Sequence, residues 1–187
     1  EAFLGLGKGI ILGFAVAVIM DRFEYAYKMI YPVLIISQTI PTVAIAPLLV
    51  LWLGYGILPK ITLIVMTSFF PITIGLLDGF SSADKDMLNL LKTMGATPFQ
   101  NFVHVKLPGS LGYFFAGLRI SVSYSIIGAV VAEWLGGFSG LGVYMTRVRK
   151  SYSFDKMFAV IFLISAISLL LMYLVKKIQK WCMVWEK

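Results

Sequence analysis

Two charges, Arg119 and Glu133, are embedded in one long apolar stretch of this chain. A charge so placed faces protein or water rather than hydrocarbon. They stand fourteen residues apart, which is ~21 Å along a straight helix, so they cannot pair with each other. Arg119 suits an anion or stabilises its own half of the segment, and Glu133, towards the far end, suits a structural hydrogen bond. Between them Ser121, Ser123, Tyr124 and Ser125 form a polar run whose hydroxyls can bond back to helix carbonyls or line a path. Gln38, Thr39 and Thr42, in an earlier stretch broken by prolines, complete the set of lining candidates. These are groups for solvating a passing molecule, and no catalytic residue is assigned.

Other features carry less chemistry. His104 is the single histidine and has no Cys/His cluster beside it, whereas zinc sites use three or four protein ligands. No metal site is therefore expected, and His104 reads as an interfacial residue. Cys182 is alone and cannot form an intrachain disulfide. Gly7-Lys8 lacks the upstream glycine and the following Ser/Thr of a phosphate-binding loop. The glycines from Gly136 to Gly142 follow an apolar stretch and lack such a loop's lysine, so they read as a bend. No nucleotide or cofactor site is expected in the chain.

The elements that position these groups follow from hydropathy. Hydrophobic residues make up 59% of the chain and charged residues 13%, against about 25% charged in soluble domains. The mean hydropathy is +0.90. An integral membrane protein follows, all-α, because the apolar runs approach the ~20 residues of a helical span rather than short alternating strands. Residues 1–187 are read as one transmembrane domain. Five spans are predicted, at roughly 2–20, 29–53, 58–77, 108–135 and 157–175. Gly5, Gly9, Gly13 and Ala17 recur every four residues in the first, a face on which another helix can approach closely. The chain opens on Glu1 and enters this span almost directly, so a further segment is expected upstream.

The net charge of +7 comes from basic residues scattered between or beside the spans, which fits membrane topology and lipid better than nucleic acid. Lys and Arg number nine on one side (22, 28, 85, 92, 106, 176, 177, 180, 187) and five on the other (60, 147, 149, 150, 156). The first side is expected to be cytoplasmic. The second span contains Pro41 and Pro47, each of which removes a backbone donor. A broken helix with carbonyls open to neighbours or to a watery cavity is expected, as in transport proteins, and a plain packing kink is the alternative.

Between the third and fourth spans lies a polar segment. Met87, Leu90, Leu91 and Met94 share one side of a helix beginning near Ala83. Gly95 breaks it; Thr97 can cap a second short helix with Pro98 in its first position. Leu107-Pro108 is read as the end of the segment, leading into the fourth span.

The segment resembles the cytoplasmic signature of permease subunits of binding-protein-dependent ABC importers: Glu-Ala-Ala, three residues, Gly, nine residues, an aliphatic residue, one residue, Leu-Pro. Gly95, Val105, Leu107 and Pro108 match that spacing, whereas Asn89, Leu90 and Leu91 stand at the Glu-Ala-Ala positions. The run Leu107–Arg119, Ala132-Glu133-Trp134, Gln38-Thr-Ile-Pro41 and Ala46-Pro47 are similar to the branch carrying taurine, alkanesulfonate, nitrate and pyrimidine-precursor permeases.

The resemblance implies a bundle like that of type I ABC importer permeases, with five spans here and a sixth upstream, in the cytoplasmic membrane of a prokaryote. It implies coupling helices at about residues 83–106, formed around Met87, Asn89, Leu90, Leu91, Gly95, Ala96, Phe99, Val105, Leu107 and Pro108, that dock on a separate ATPase; Met87, Leu91 and Phe99 are the expected anchors. It also implies a second permease subunit, in a homodimer, two ATPase subunits holding ATP and Mg, and an extracytoplasmic binding protein. Energy then comes from the partner, and the chain itself is not an enzyme. A thiamine-type pyrimidine precursor or related heterocycle is the favoured cargo and a sulfonate, taurine or nitrate the alternative. A passive channel or membrane scaffold is the rival of another class.

Overall fold

The structure is a computed structural model; it describes residues 1–183, with the side chains of Leu135 and Gly136 not described. Lys187 of the charge count lies outside the described residues. In chain order the helices are α1 (Ala2–Arg22), α2 (Glu24–Thr39), α3 (Thr42–Leu53), α4 (Ile57–Ser81), α5 (Lys85–Thr93), α6 (Pro98–Asn101), a π-helical turn (Phe102–Lys106), α7 (Leu107–Gly136), α8 (Leu141–Lys150) and α9 (Phe154–Cys182). No strand occurs among the described residues, so the chain is an all-α helical bundle.

Among the described residues, four helices are long and apolar enough to cross a membrane: α1, α4, α9 and one of 37 residues, Pro98–Trp134. The second span is broken, as its prolines predict. It is two helices, α2 and α3, bent by 101° rather than one helix with a packing kink, and it makes a fifth span only if the pair is counted together. Pro41 is the cause. Ile40, directly before it, is pushed into extended backbone (φ −84°, ψ 121°), and Pro41 becomes the N-cap of α3. The hydroxyls of Ser37 and Thr39 bond back to the carbonyls of Leu34 and Ile36, which satisfies part of the frayed end of α2.

The central helix is α4, packed chiefly against α7 and α1. The α1 stripe does what its four-residue spacing predicts: Gly5, Gly9, Gly13 and Ala17 are buried, and a Cβ on Gly13 would lie 2.9 Å from the carbonyl oxygen of Phe69. A second close crossing, between α4 and α7, is not among the sequence expectations. There a Cβ on Gly75 would lie 2.8 Å from the Tyr113 carbonyl oxygen, and one on Gly117 would lie 2.4 Å from that of Pro71. Gly75 and Gly79, four residues apart, were the available signal. Ala17, Met20, Leu34, Ile72, Leu76, Leu77 and Phe80 form the core of α1, α2 and α4.

Ion pairs tie α1 at both ends. Lys60 Nζ is 3.0 Å from Glu1 Oε1, and Lys106 Nζ is 2.6 Å from Asp21 Oδ1. The second pair fixes the end of α1 to the turn entering α7. The basic residues Arg147, Arg149 and Lys150, which weigh against the predicted orientation, occupy the last turn of α8. There they complement the helix dipole, a local reason for their position. The outward faces of α9, including Phe158, Phe162, Leu169 and Leu170, are exposed and apolar, as a helix covered by lipid or by further membrane helices must be.

Candidate functional site: a helix pair and a groove joined by one rod

The first half of the site is α5–α6. Asp84 caps α5 by accepting from the backbone N–H of Asp86 (2.8 Å) and Met87 (3.4 Å). The helix ends at Gly95, whose φ is +82°. Its N–H donates to Lys92 O (3.1 Å), and the Ala96 N–H donates to Leu91 O (2.9 Å). This pair of bonds closes a helix terminus only with a left-handed residue at that point, which glycine adopts without a Cβ clash. Thr97 and Gln100 then form a reciprocal capping box, with Pro98 in the first turn of α6.

At Leu107-Pro108, where the segment leads into the fourth span, the helix does not break. The chain stays helical through residues 102–106 and on into α7. Proline normally breaks a helix because it lacks an N–H and its ring collides with the carbonyl four residues back. Here the turn before it is π-helical, with the Leu107 N–H donating to Phe102 O, and this wider turn makes room for the ring. The result is one 37-residue helix, Pro98–Trp134, about 55 Å long at 1.5 Å per residue.

None of the residues of α5 or α6 is buried. Met87 (53%), Leu90, Met94 and Phe99 (74%) expose large apolar side chains, whereas Leu91, an expected anchor, is half-buried. Asn89 is exposed, while Ala96, Val105, Leu107 and Pro108 are half-buried.

The second half is a groove of about 530 Å³ across α2, α4 and α7, lined by Gln38, Phe70, Ile74, Asp78, Tyr113 and Tyr124 among others, with Gly75 and Gly117 at the helix crossing. Of the lining candidates from sequence, it brings together Gln38 and Tyr124. Thr39 and Thr42 stand at the α2–α3 break and are not on its wall. Ser121 and Ser125 are buried; the first donates to Ser68 O on α4 and the second to Val122 O (2.8 Å). Ser123 faces Met172 on α9 (3.4 Å). Arg119 turns the same way and donates to Gln179 Oε1. Alternate hydroxyls along one helix therefore point in different directions. Asp78, Tyr113 and Phe70 are not among the candidates read from sequence, which lie on the polar run of α7 and beside the prolines of the second span.

Glu133 is structural. Its Oε2 accepts from the Gly142 N–H at 2.6 Å, at the start of α8, where backbone donors are otherwise unpaired. A Cβ on Gly140 would lie 2.3 Å from the carboxylate, so the glycines of this bend make room for it. Gly136, in the same run, has no described side-chain environment. Glu133→Ala should lower the stability of the purified protein by about 1–3 kcal/mol, the cost of stranding a partly buried donor, read as an earlier thermal unfolding midpoint in detergent.

A bundle of this kind, with an apolar helix pair exposed at one end and rigidly continuous with a groove-lining helix, has the architecture of a transporter's membrane subunit. It superposes with a TM-score of 0.71 on a chain of the crystal structure of an amino acid ABC transporter with histidines, covering 96% of this chain and 86% of that one at 15% identity. The chain belongs to the family of binding-protein-dependent transport system inner membrane components, whose profile matches residues 9–182.

It is an ABC importer permease and a multi-pass inner-membrane protein. Over 98% of its length it is 39% identical to the formylaminopyrimidine transport permease protein ThiX of Halalkalibacterium halodurans, covering 74% of that protein. It is 40% identical over 92% of its length to a probable ABC transporter permease protein of Haemophilus influenzae, covering 71% of it. A putative aliphatic sulfonates transport permease, SsuC of Bacillus subtilis, is 29% identical over 97% of this chain and is covered over 67% of its own length.

Proposed function

We propose that the chain passes a small solute inward by ATP-driven alternating access, as one of two identical permease subunits served by two ATPase subunits and an extracytoplasmic binding protein. ATP and Mg are held by the ATPase, and no covalent step occurs in this chain. The observation that carries the reading is the exposed apolar face of α5 and α6 on the end of the Pro98–Trp134 rod. A partner that covers Met87, Leu90, Met94 and Phe99 gains an apolar anchor of the kind found at interface cores. Movement imposed there reaches the groove through continuous helix, without a loop to absorb it. The end carrying α5 and α6 is cytoplasmic in this reading.

The cargo supported best is a thiamine-type pyrimidine precursor or a related heterocycle, from the 39% identity to a formylaminopyrimidine permease. Likeness to the sulfonate permease supports the second cargo reading. The chain reconstituted in proteoliposomes with its ATPase and binding protein should take up labelled aminopyrimidine only when ATP is supplied. Uptake that persists without ATP would mark a passive channel and end this reading.

A further inference from the structure

Asp78 is the one charged side chain among the residues lining the groove, and local structure gives no reason for an acid there. It stands in the last turn of α4, which has no basic residue in that turn. A carboxylate at this end opposes the helix dipole. No lysine, arginine or histidine lies within salt-bridge distance of it among the described residues. The other described acids all have a structural role. Glu1, Asp21 and Glu24 are ion-paired. Asp84 caps α5, Asp86 and Asp155 occupy first helical turns, and Glu133 holds the start of α8. Asp78 alone is exposed, unpaired and unfavourably placed on its helix.

Tyr113 lines the same groove. Tyr113 crosses α4 between Gly75 and Gly79, the turn that carries Asp78: the Cβ of Tyr113 would be 3.2 Å from a Cβ on Gly79, and its carbonyl oxygen is against Gly75. Ile74 adds an apolar wall at the same level. A carboxylate accepts hydrogen bonds only, a cation or an amino group satisfies it most strongly, and a tyrosine face receives a flat ring. The opposite charge has no counterpart in the groove, because Arg119 is turned away to Gln179.

We infer that Asp78 and Tyr113 form a recognition subsite for a flat ring bearing amino groups or positive charge, and that the same carboxylate rejects anions such as sulfonates. This rests on reading the groove as part of the solute's passage.

The test uses the permease–ATPase complex in detergent, without binding protein, and equilibrium dialysis of two labelled probes: a 4-aminopyrimidine carrying an aminomethyl group, and ethanesulfonate. The intact complex should bind the aminopyrimidine and not the sulfonate. Asp78→Asn should weaken the aminopyrimidine about tenfold or more, the size expected for a lost charged hydrogen bond. Asp78→Glu should restore much of the binding and serves as the control for folding. Failure of the intact complex to bind the aminopyrimidine, equal affinity in Asp78→Asn, or comparable sulfonate binding would each overturn the subsite. ATP-coupled uptake by the same complex is read separately. Coupled uptake with Asp78-independent binding removes the subsite and leaves the transport reading; Asp78-dependent binding without coupled uptake does the reverse.

Discussion

Replacing Gly95 with valine should leave the chain in the membrane yet weaken its association with the ATPase about tenfold. Gly95 has a φ of +82°, where an L-residue loses roughly 1–2 kcal/mol through contact between Cβ and the following carbonyl, and β-branching makes this worse. Nothing lies within 4 Å of the Cβ position, so the effect is on the backbone turn and not on packing. The turn holds α5 at a set angle to α6 through the Gly95–Lys92 and Ala96–Leu91 bonds. Once it opens, the exposed side chains of α5 and α6 are no longer held in a fixed relation to one another. A loss of about 1.4 kcal/mol is a factor of ten in affinity, measurable as reduced co-purification with the ATPase or by titration in nanodiscs. Gly95→Asn should retain most of the association, because asparagine tolerates the left-handed region at a helix terminus. Normal co-purification of the valine variant would detach the helix pair from docking.

The second large effect is expected deep in the bundle. Gly117→Val should destabilise the protein by about 3 kcal/mol, the upper range for overpacking, and prevent it accumulating as a well-folded species. A Cβ there would lie 2.4 Å from the carbonyl oxygen of Pro71 and 3.0 Å from its carbon. Both are backbone atoms of α4, so no side chain can swing aside, and the helices must separate along the crossing that floors the groove. Gly7→Ala, with nothing within 4 Å of the new Cβ, is the control and should behave as the parent. The comparison is read from size-exclusion profiles and thermal unfolding in detergent. A Gly117→Val protein as stable as the Gly7→Ala control would show that α4 and α7 do not cross this closely.

These two glycines also divide what was legible in the amino-acid order. The turn at Gly95 and the cap at Thr97-Pro98 were readable because the bonds that make them span only a few residues. Their chemistry is carried by the local residues: a left-handed glycine, a hydroxyl and a ring with no N–H. The α1 stripe was readable for a similar reason, since a four-residue repeat defines a face before any partner is known. The contact across Gly75 and Gly117 needs two such faces, on α4 and α7, to be matched, and neither face names its partner.

Hydropathy and helical spacing by themselves determined a membrane-embedded all-α chain, most of its spans and the short helix pair between α4 and α7. Only the tertiary structure decided the rest. Pro41 marks where α2 must stop, but the 101° between α2 and α3 is set only in the folded chain. Leu107-Pro108 could have ended the segment, but a π-helical turn carries the helix through. Arg119 and the α7 hydroxyls form a plausible pathway in the amino-acid order alone. Their directions depend on which neighbour each meets, with Gln179 sixty residues away from Arg119 and Ser68 fifty-three from Ser121. Successive helix positions point about 100° apart, so composition can place polar groups on one helix, but packing against α4 and α9 selects which of them reach the groove. Asp78 and Tyr113 reach it, and Arg119 does not.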